Sequence, residues 1–508
     1  MTARALATGF RVRLRDDVVH TDGGRLLVGG SPVRAVRLGE RAQGLLAGGE
    51  LTVEDPPTAR LARRLLDGNL ANPLLDDLSV ALADLTVVVP VRDRTEQLAR
   101  CLAALVPLPV IVVDDASEQP HLVAEVAHRH GARVHRLTTN VGPAGARNAG
   151  LRLVRTPLVA FDDTDVTIDA ARLLDLARHC ADPRVALVGP QVIGKVRSRP
   201  GHRPRWFERY DAAASSLDLG STGGVVRPGA ATGWLPSACL VGRTELLTGE
   251  PGDGGIGGFE DGWRVAEDVD LVWRLVDAGH VVRYDPDVRA DHDVRGTVRT
   301  WLGRKFFYGT GGADLAARHG DKVAPAVLSP TMALSGWALL QRRWWSLPVA
   351  AVAGALTARN LAPHLPLEEG RTAVAVRLTV KGTGWAVRQE AALLLRHWWP
   401  LAALAAPFSR SVRRALVTAV AVDLFVFLRE RTGVGPFTAL VARRLDDLAY
   451  GSGLWWGALR RRRCGARGGS GSRSPARRVI VVSRSWTTAM PLGEPSIHSA
   501  ACSTPSRL

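Results

Sequence analysis

Three carboxylates crowd into four positions at Asp162, Asp163 and Asp165, directly after the apolar run Leu158-Val159-Ala160-Phe161. Like charges at the mouth of a core strand oppose folding unless a cation gathers them. Hard divalent ions such as Mn²⁺ and Mg²⁺ take carboxylate oxygens, and a diphosphate on the same ion would complete its shell, so the stretch predicts a metal-bridged nucleotide site. A solvated turn capping the next helix would carry the same letters. Asp114-Asp115 closes a second apolar run, Val110-Ile111-Val112-Val113, and either carboxylate could accept from a base N–H. Small residues between Asn140 and Gly150 let a backbone approach a ligand, and Arg147 among them could face phosphate. Glu267-Asp268 opens a segment whose apolar face is Val269, Leu271, Val272, Leu275 and Val276. A carboxylate in the first turn of such a helix points out of the core beside the positive end of the dipole, a good placement for a general base.

The elements that must position these residues follow from periodicity. Leu85-Thr86-Val87-Val88-Val89-Pro90 is a continuous apolar run, as in a strand covered on both faces, and Leu98, Cys101, Leu102 and Leu105 then recur at helical spacing. Strands near 110–113, 133–137 and 158–161 continue a βαβ pattern, and open parallel sheets bind ligands beyond the carboxyl ends of their strands. Val91-Arg92-Asp93-Arg94 stands where a dinucleotide-binding Gly-x-Gly-x-x-Gly would have to be, and Gly-Lys-Ser/Thr is absent. Hydride transfer and P-loop kinase chemistry are thereby disfavoured. The glycines at 252–258 and 309–312 are read as loops.

Before this pattern, residues 1–80 form a separate small module. Asp22-Gly23-Gly24 and Gly29-Gly30 between apolar runs signal hairpins, and Leu61, Leu65 and Leu66 share a helix face that breaks near Gly68 and Pro73. The module resembles small winged-helix-like peptide-chaperone domains, and an open strand edge in it could hold an extended peptide.

Val-Val-Val-Pro-Val at 87–91, Val-Asp-Asp-Ala-Ser at 113–117, Asn-Val-Gly-x-Ala-x-Ala-Arg-Asn at 140–148, Phe-x-Asp-x-Asp at 161–165 and Glu-Asp-Val-Asp-Leu-Val-Trp-Arg-Leu at 267–275 occur in this order. In content and spacing, residues 84–310 resemble family-2 glycosyltransferases, which implies an α/β, Rossmann-like GT-A nucleotide-diphospho-sugar transferase domain. The resemblance implies nucleotide-sugar contacts at Pro90, Asp114, Asp115, Arg147 and Asp163, with Asp115 reading the uracil ring. It also implies metal ligation of Mn²⁺ or Mg²⁺ by Asp163, Asp165 and His292, and Asp268 as catalytic base of an inverting transfer. Asp162 departs from the pattern, standing where an apolar residue is usual. No Gln-x-x-Arg-Trp of the processive polysaccharide-synthase type is present, which favours a defined acceptor.

The chain's 508 residues carry a formal charge of +17, with much of the Arg excess beyond about residue 300. That asymmetry points to a membrane surface more than to nucleic acid, since no aromatic-basic interleaving of the RNA-binding kind occurs. Five scattered cysteines without Cys-x-x-Cys give neither a zinc site nor a disulfide framework, and no secretory signal opens the chain. Apolar runs at 332–340, 346–358, 398–408 and 415–428 are too short to span a bilayer, and Asp423 interrupts the best of them. Trp344, Trp345, Trp398, Trp399, Trp455 and Trp456 lie beside arginines. Residues 325–460 are therefore expected as helices lying on the cytoplasmic face of a membrane, with a buried bundle as the alternative and 461–508 as a disordered tail.

The whole arrangement is similar to family members that glycosylate a peptide-derived redox cofactor, implying UDP-glucose as donor, a peptide-derived small-molecule acceptor and addition of glucose units. A transferase for a lipid or cell-envelope glycan is the second reading. A membrane-attached carbohydrate-binding scaffold is the non-enzyme reading, and the intact Asp115, Asp163, Asp165 and Asp268 argue against it.

Overall fold

Leu85–Val91 lies inside a nine-stranded mixed sheet, in a computed structural model that describes residues 5–465 apart from 22, 198–202, 251–252, 325, 366–369 and 432, together with Val481–Val482. Arg133–Leu137, Val110–Asp115, Leu85–Val91 and Leu158–Asp162 run parallel in that spatial order. Cys239–Arg243 then pairs antiparallel with Leu158–Asp162 and with Val185–Lys195, and Val281–Asp293 lies parallel to Val185–Lys195. The chain leaves Leu85–Val91 in one direction and returns on its other side as Leu158–Asp162, so the strand order reverses between these two. Their carboxyl ends open the crevice where such sheets bind ligands.

Both faces of the sheet are covered. Val87, Val89, Val112 and Ala160 enter one core with Leu98, Cys101 and Leu102 of helix Thr95–Leu105. Val88, Val113, Val159 and Phe161 enter the other with Ala146 and Ala149 of helix Gly142–Leu151 and with Leu271 and Leu275 of helix Glu267–Asp277. Gly150 is required at its position, because a Cβ there would meet Val88 Cγ1 at 2.3 Å.

The N-terminal module consists of two antiparallel three-stranded sheets, the short helix Glu40–Leu45 and the helix Pro56–Asp67, the last capped by Asp55, whose carboxylate accepts from Thr58 N. The hairpins run Val19–Thr21 to Leu26–Gly29 and on to Arg34–Arg37. Asn69, buried with φ 54°, joins the module to the main sheet: its amide accepts from Val225 N and donates to Val225 O. Arg15 donates to Gly223 O at 2.6 Å, and Asp67 pairs with Arg184 at 2.9 Å. Leu26 packs among Leu361, Leu365 and Ala375 of the C-terminal helices.

The C-terminal region is helical, comprising Pro330–Gln341, Ser346–Leu361, Arg371–Ala392, Trp399–Ala405, Arg410–Glu430 and Pro436–Gly465. Among the described residues no helix is long and apolar enough to cross a membrane. Asp423 accepts from Arg443 Nε at 2.7 Å and also pairs with Arg444, so the charge that interrupts the apolar run ties two helices together.

Two expectations are corrected. Gly309 and Gly312 belong to helices Val298–Thr310 and Gly312–His319, not to a loop, and Gly309 is where the C-terminal helix seats. A Cβ on Gly309 would lie 2.2 Å from Tyr450 O, one on Gly453 2.0 Å from Phe306 O, and one on Gly457 2.4 Å from Thr310 O. The last helix also carries through Arg460–Arg463 to Gly465, past the start expected for the tail. The rest of that tail lies outside the described residues, apart from Val481–Val482.

Candidate active site

The crevice at the strand reversal opens into a cavity of about 2080 Å³. A site for a single ligand of drug size occupies about 300–1,000 Å³, so this space holds more than one small molecule. Pro90, Asp115, Arg147, Asp163, Asp165, Asp268 and His292 all line it, seven residues from segments up to 202 positions apart in sequence.

Period-two alternation along Leu158–Asp162 sorts the carboxylates at its end. Asp162 shares the inward face with Ala160 and is fully buried, with the Cys101 thiol donating to it at 3.2 Å. Burial pushes its carboxyl well above the usual range, with Asp163 and Asp165 adding to the effect. It does not reach the cavity, so two carboxylates rather than three face the ligand space. Asp163 accepts from Arg147 Nη2 at 2.6 Å. Asp165 Oδ2 receives Arg94 Nη1 at 2.9 Å and Arg295 Nη1 at 3.2 Å, with His292 Nε2 at 3.8 Å. Burial alone would raise the Asp165 carboxyl, but His292, Arg295 and Arg94 together hold it below the ordinary carboxylate range.

Asp114 and Asp115 separate in the same way. Asp115 lines the cavity and accepts from Val141 N at 2.7 Å and Gly142 N at 3.0 Å, fixing the small-residue loop against the strand end. Asp114 does not line the cavity: it accepts from Ser117 N at 2.9 Å and holds its own turn. Of the two carboxylates, only Asp115 is placed to meet a ligand.

Arg147, buried in helix Gly142–Leu151, spans two carboxylates, giving Nη2 to Asp163 and Nη1 to Glu267 at 3.2 Å, and its guanidinium lies 5.4 Å from the Phe259 ring centroid. Its charge is matched by protein groups, and its work is to join the strand end to the helix that carries Asp268. Asn148, one residue on, donates to Phe259 O and accepts from Phe259 N, both at 2.9 Å, clasping the loop that leads to Glu267.

Helix Glu267–Asp277 buries Leu271, Val272 and Leu275 and turns Asp268 outward, as its spacing predicts. Asp268 accepts from Val269 N at 2.8 Å and Ser237 N at 3.3 Å. Burial, reinforced by the neighbouring Glu267, pushes its carboxyl up to about 7. A carboxylate tuned to neutrality and open to a cavity can take a proton from a hydroxyl. Ala266, immediately before it, has the left-handed conformation, φ 64°. Asp93 and Ala116, on the loops after two strands of the site, share it, at φ 55° and 57°. Strain of this kind persists where surrounding structure over-determines the backbone, commonly at functional sites.

Asp165 and His292 offer two donors close enough to reach one cation, and burial, the largest influence on His292, keeps its imidazole below its usual pKa and thus available as a ligand. Among the described residues no group of three or more His, Cys, Asp or Glu side chains is gathered for a metal. Two protein donors suit Mn²⁺ or Mg²⁺ when substrate phosphates supply further oxygens. The donor set therefore fits a metal shared with a diphosphate and not a closed protein cage.

Away from these groups the cavity is walled by the C-terminal helices through Trp398, Leu401, Tyr450, Leu454 and Trp455. Trp455 Nε1 donates to His397 O at 2.7 Å, and the Trp399 ring packs against Gly451. Two of the tryptophans expected at a lipid headgroup, Trp399 and Trp455, thus have contacts within the protein. Among the described residues none of the N-terminal module lines the cavity.

The model of the family described as "Glycosyl transferase family 2" matches residues 86–231. The pre-mycofactocin glycosyltransferases of two Mycobacterium tuberculosis strains are each 40% identical to this chain over 488 residues, 92% of this chain and 98% of theirs. This chain belongs to glycosyltransferase family 2. The mixed sheet with its helices is the GT-A fold of that family, followed by a helical C-terminal region. Among solved structures, a mannosyltransferase from Pyrobaculum calidifontis in complex with GDP-Man and Mn²⁺ is 19% identical, with a TM-score of 0.41, over 73% of this chain and 87% of that one. Within this glycosyltransferase, Arg94 and Arg295 line the cavity although spacing did not single them out, and the adjacency of Arg94 to the end of the first strand was the signal available for it.

Proposed function

We propose that the chain transfers glucose from UDP-glucose, with inversion, to a peptide-derived precursor of the mycofactocin type. The observation that carries the reading is the convergence of Asp115, Asp165 and Asp268 on one cavity, with Asp268 tuned to about 7. The likeness to pre-mycofactocin glycosyltransferases along nearly their whole length supports the acceptor class.

In this mechanism Asp115 meets the uracil ring, the crevice beside Pro90 holds the nucleoside, and Asp165 with His292 would hold the metal. Mn²⁺ or Mg²⁺, when bound, neutralises charge on the departing diphosphate. Asp268 takes the proton of the acceptor hydroxyl as that oxygen bonds to the anomeric carbon. The bond from the anomeric carbon to the diphosphate oxygen breaks, its electron pair leaves with UDP, and one displacement inverts the anomeric centre. Arg147 keeps Asp163 and Glu267 together so that Asp268 stays at the reacting oxygen. The part of the cavity beside Trp398, Tyr450 and Trp455 receives the acceptor, where aromatic faces suit sugar rings already attached.

The test is incubation of the protein with mixed sugar nucleotides and a small-molecule extract of its own cells, followed by mass spectrometry and assignment of the new anomeric centre. A glucosylated peptide-derived product of inverted configuration is expected. Transfer only to lipid or envelope glycans, or a retained configuration, overturns the reading. Excess EDTA should abolish UDP-glucose turnover and Mn²⁺ should restore it.

The C-terminal helices support a second reading, peripheral attachment to the cytoplasmic face of a membrane. Trp344, Leu347 and Phe408 are 84%, 73% and 92% exposed, and Arg342, Arg343 and Arg410 stand beside them. Apolar tips flanked by cations suit an anionic headgroup layer.

A further inference from the structure

Asp165 meets more cations than one carboxylate needs. Arg94 and Arg295 both direct Nη1 to the same oxygen, Oδ2, and Arg304 lies near enough to add to the local positive field. The arginines come from opposite sides: Arg94 just before helix Thr95–Leu105, Arg295 just after strand Val281–Asp293. Each gives Asp165 one N–H, and among the described residues neither has another side-chain partner. A guanidinium carries five donors in a planar fork. Both residues line the cavity, so their remaining donors face ligand space. Two guanidiniums converging on one oxygen repel each other, and each keeps further N–H donors suited to an anion with several oxygens.

Asp165 is also the residue assigned above to a divalent cation. A cation on Asp165 and two arginines on Asp165 compete for the same lone pairs. We infer that Arg94 and Arg295 are binding residues for the nucleotide diphosphate, parked on Asp165 when the site is empty and transferred to phosphate oxygens when a divalent cation takes that carboxylate. Asp165 thus couples metal entry to the release of two bidentate-capable donors, the side chains best shaped for phosphate. This rests on the reading of the cavity as a nucleotide-sugar site.

The two roles have effects of opposite sign on two affinities. In the full-length protein, Arg94→Gln and Arg295→Gln remove competitors for Asp165, so Mn²⁺ alone, followed by the electron paramagnetic resonance signal of the free ion, should bind more tightly than to the wild type. UDP in saturating Mn²⁺, measured by calorimetry, should bind each variant about tenfold or more weakly, the scale of a charge-assisted contact to phosphate. Inorganic pyrophosphate should compete with UDP on the wild type and lose affinity in step with it on the variants, since the contact is to phosphate. Arg295→Lys, which keeps the charge without the fork, should recover part of the UDP affinity. Mn²⁺ and UDP affinities falling together would mean that the arginines only build the pocket, and unchanged UDP affinity would remove them from the diphosphate; either overturns the inference while leaving the transferase reading intact. Failure of UDP to bind the wild type would overturn the transferase reading, and this inference with it.

Discussion

Asp268 is the proposed base, a carboxyl whose burial beside Glu267 pushes it up to about 7. As a base it works ionised, so kcat/KM should rise with pH through about 7, and Asp268→Asn should lose that ascending limb. The same variant should lose transfer by about 10²-fold or more while keeping UDP affinity, the scale for a positioned base. Calorimetry with UDP beside product assays separates the two, and collapse of nucleotide affinity would make Asp268 a binding residue. Stability follows from the same shift. The folded state holds this proton more tightly than the unfolded chain does, so the contribution is fully present below the ordinary carboxylate pKa and is lost as pH rises towards about 7. Asp268→Asn should therefore make the midpoint of urea unfolding less sensitive to pH between about 4 and 7. Of the residues involved, Asp115, Asp165 and Asp268 drew notice because each stands at or just after the end of a strand or at the opening of a helix, where open α/β sheets bind ligands. Asp114 and Asp162 carry the same letters but turn into a loop and a core, a difference set by strand alternation and by Cys101 lying beneath the sheet. Arg94 and Arg295 were not legible as a pair, since 201 positions separate them and only the crossing of the sheet brings both to Asp165.

Glycine and asparagine decide how the elements meet. The Gly309, Gly453 and Gly457 contacts let helices Val298–Thr310 and Pro436–Gly465 approach backbone to backbone. Gly309→Val should separate them, lowering stability by about 1–3 kcal/mol as overpacking does, with a fall in melting temperature as the readout. In sequence Gly309 looks like a loop former. Its role depends on a partner helix some 140 residues away, which no local pattern encodes. Asn148 is similar: Asn148→Ala would leave Phe259 N and O unpaired in the interior, costing about 1–3 kcal/mol by denaturant titration. The strand and helix order of the nucleotide half was legible because continuous apolar runs alternate with helical spacing from Leu85 to Phe161.

At the scale of the molecule, the three regions share buried contacts. The N-terminal module docks through Asn69 and Leu26 on surfaces away from the cavity, so its strand edges are not a wall of the transfer site. A peptide held there would lie outside the cavity. Sedimentation with anionic vesicles tests the surface of the C-terminal helices: the wild type should pellet with them, and Trp344→Ala with Phe408→Ala should stay in the supernatant with an unchanged melting temperature. Equal sedimentation of both would rule out those apolar tips as the contact. Composition had marked this region as apolar and basic, but it could not tell which tryptophans face outward, because Trp398 packs against the cluster of Leu393 and Met332 only once the helices are assembled, while Trp344 stays exposed.

That last helix also sets an order in time. A ribosome that has made residue 310 has already produced Asp115, Asp165 and Asp268, yet the wall carrying Tyr450 and Trp455 requires a further 155 residues, roughly 8–30 s at about 5–20 residues per second. Until then the nucleotide half faces water instead of an acceptor. A chain halted before Pro436 would carry Asp115, Asp165 and Asp268 and lack both the wall that bears Tyr450 and Trp455 and the helix that covers Phe207, Tyr210 and Trp301.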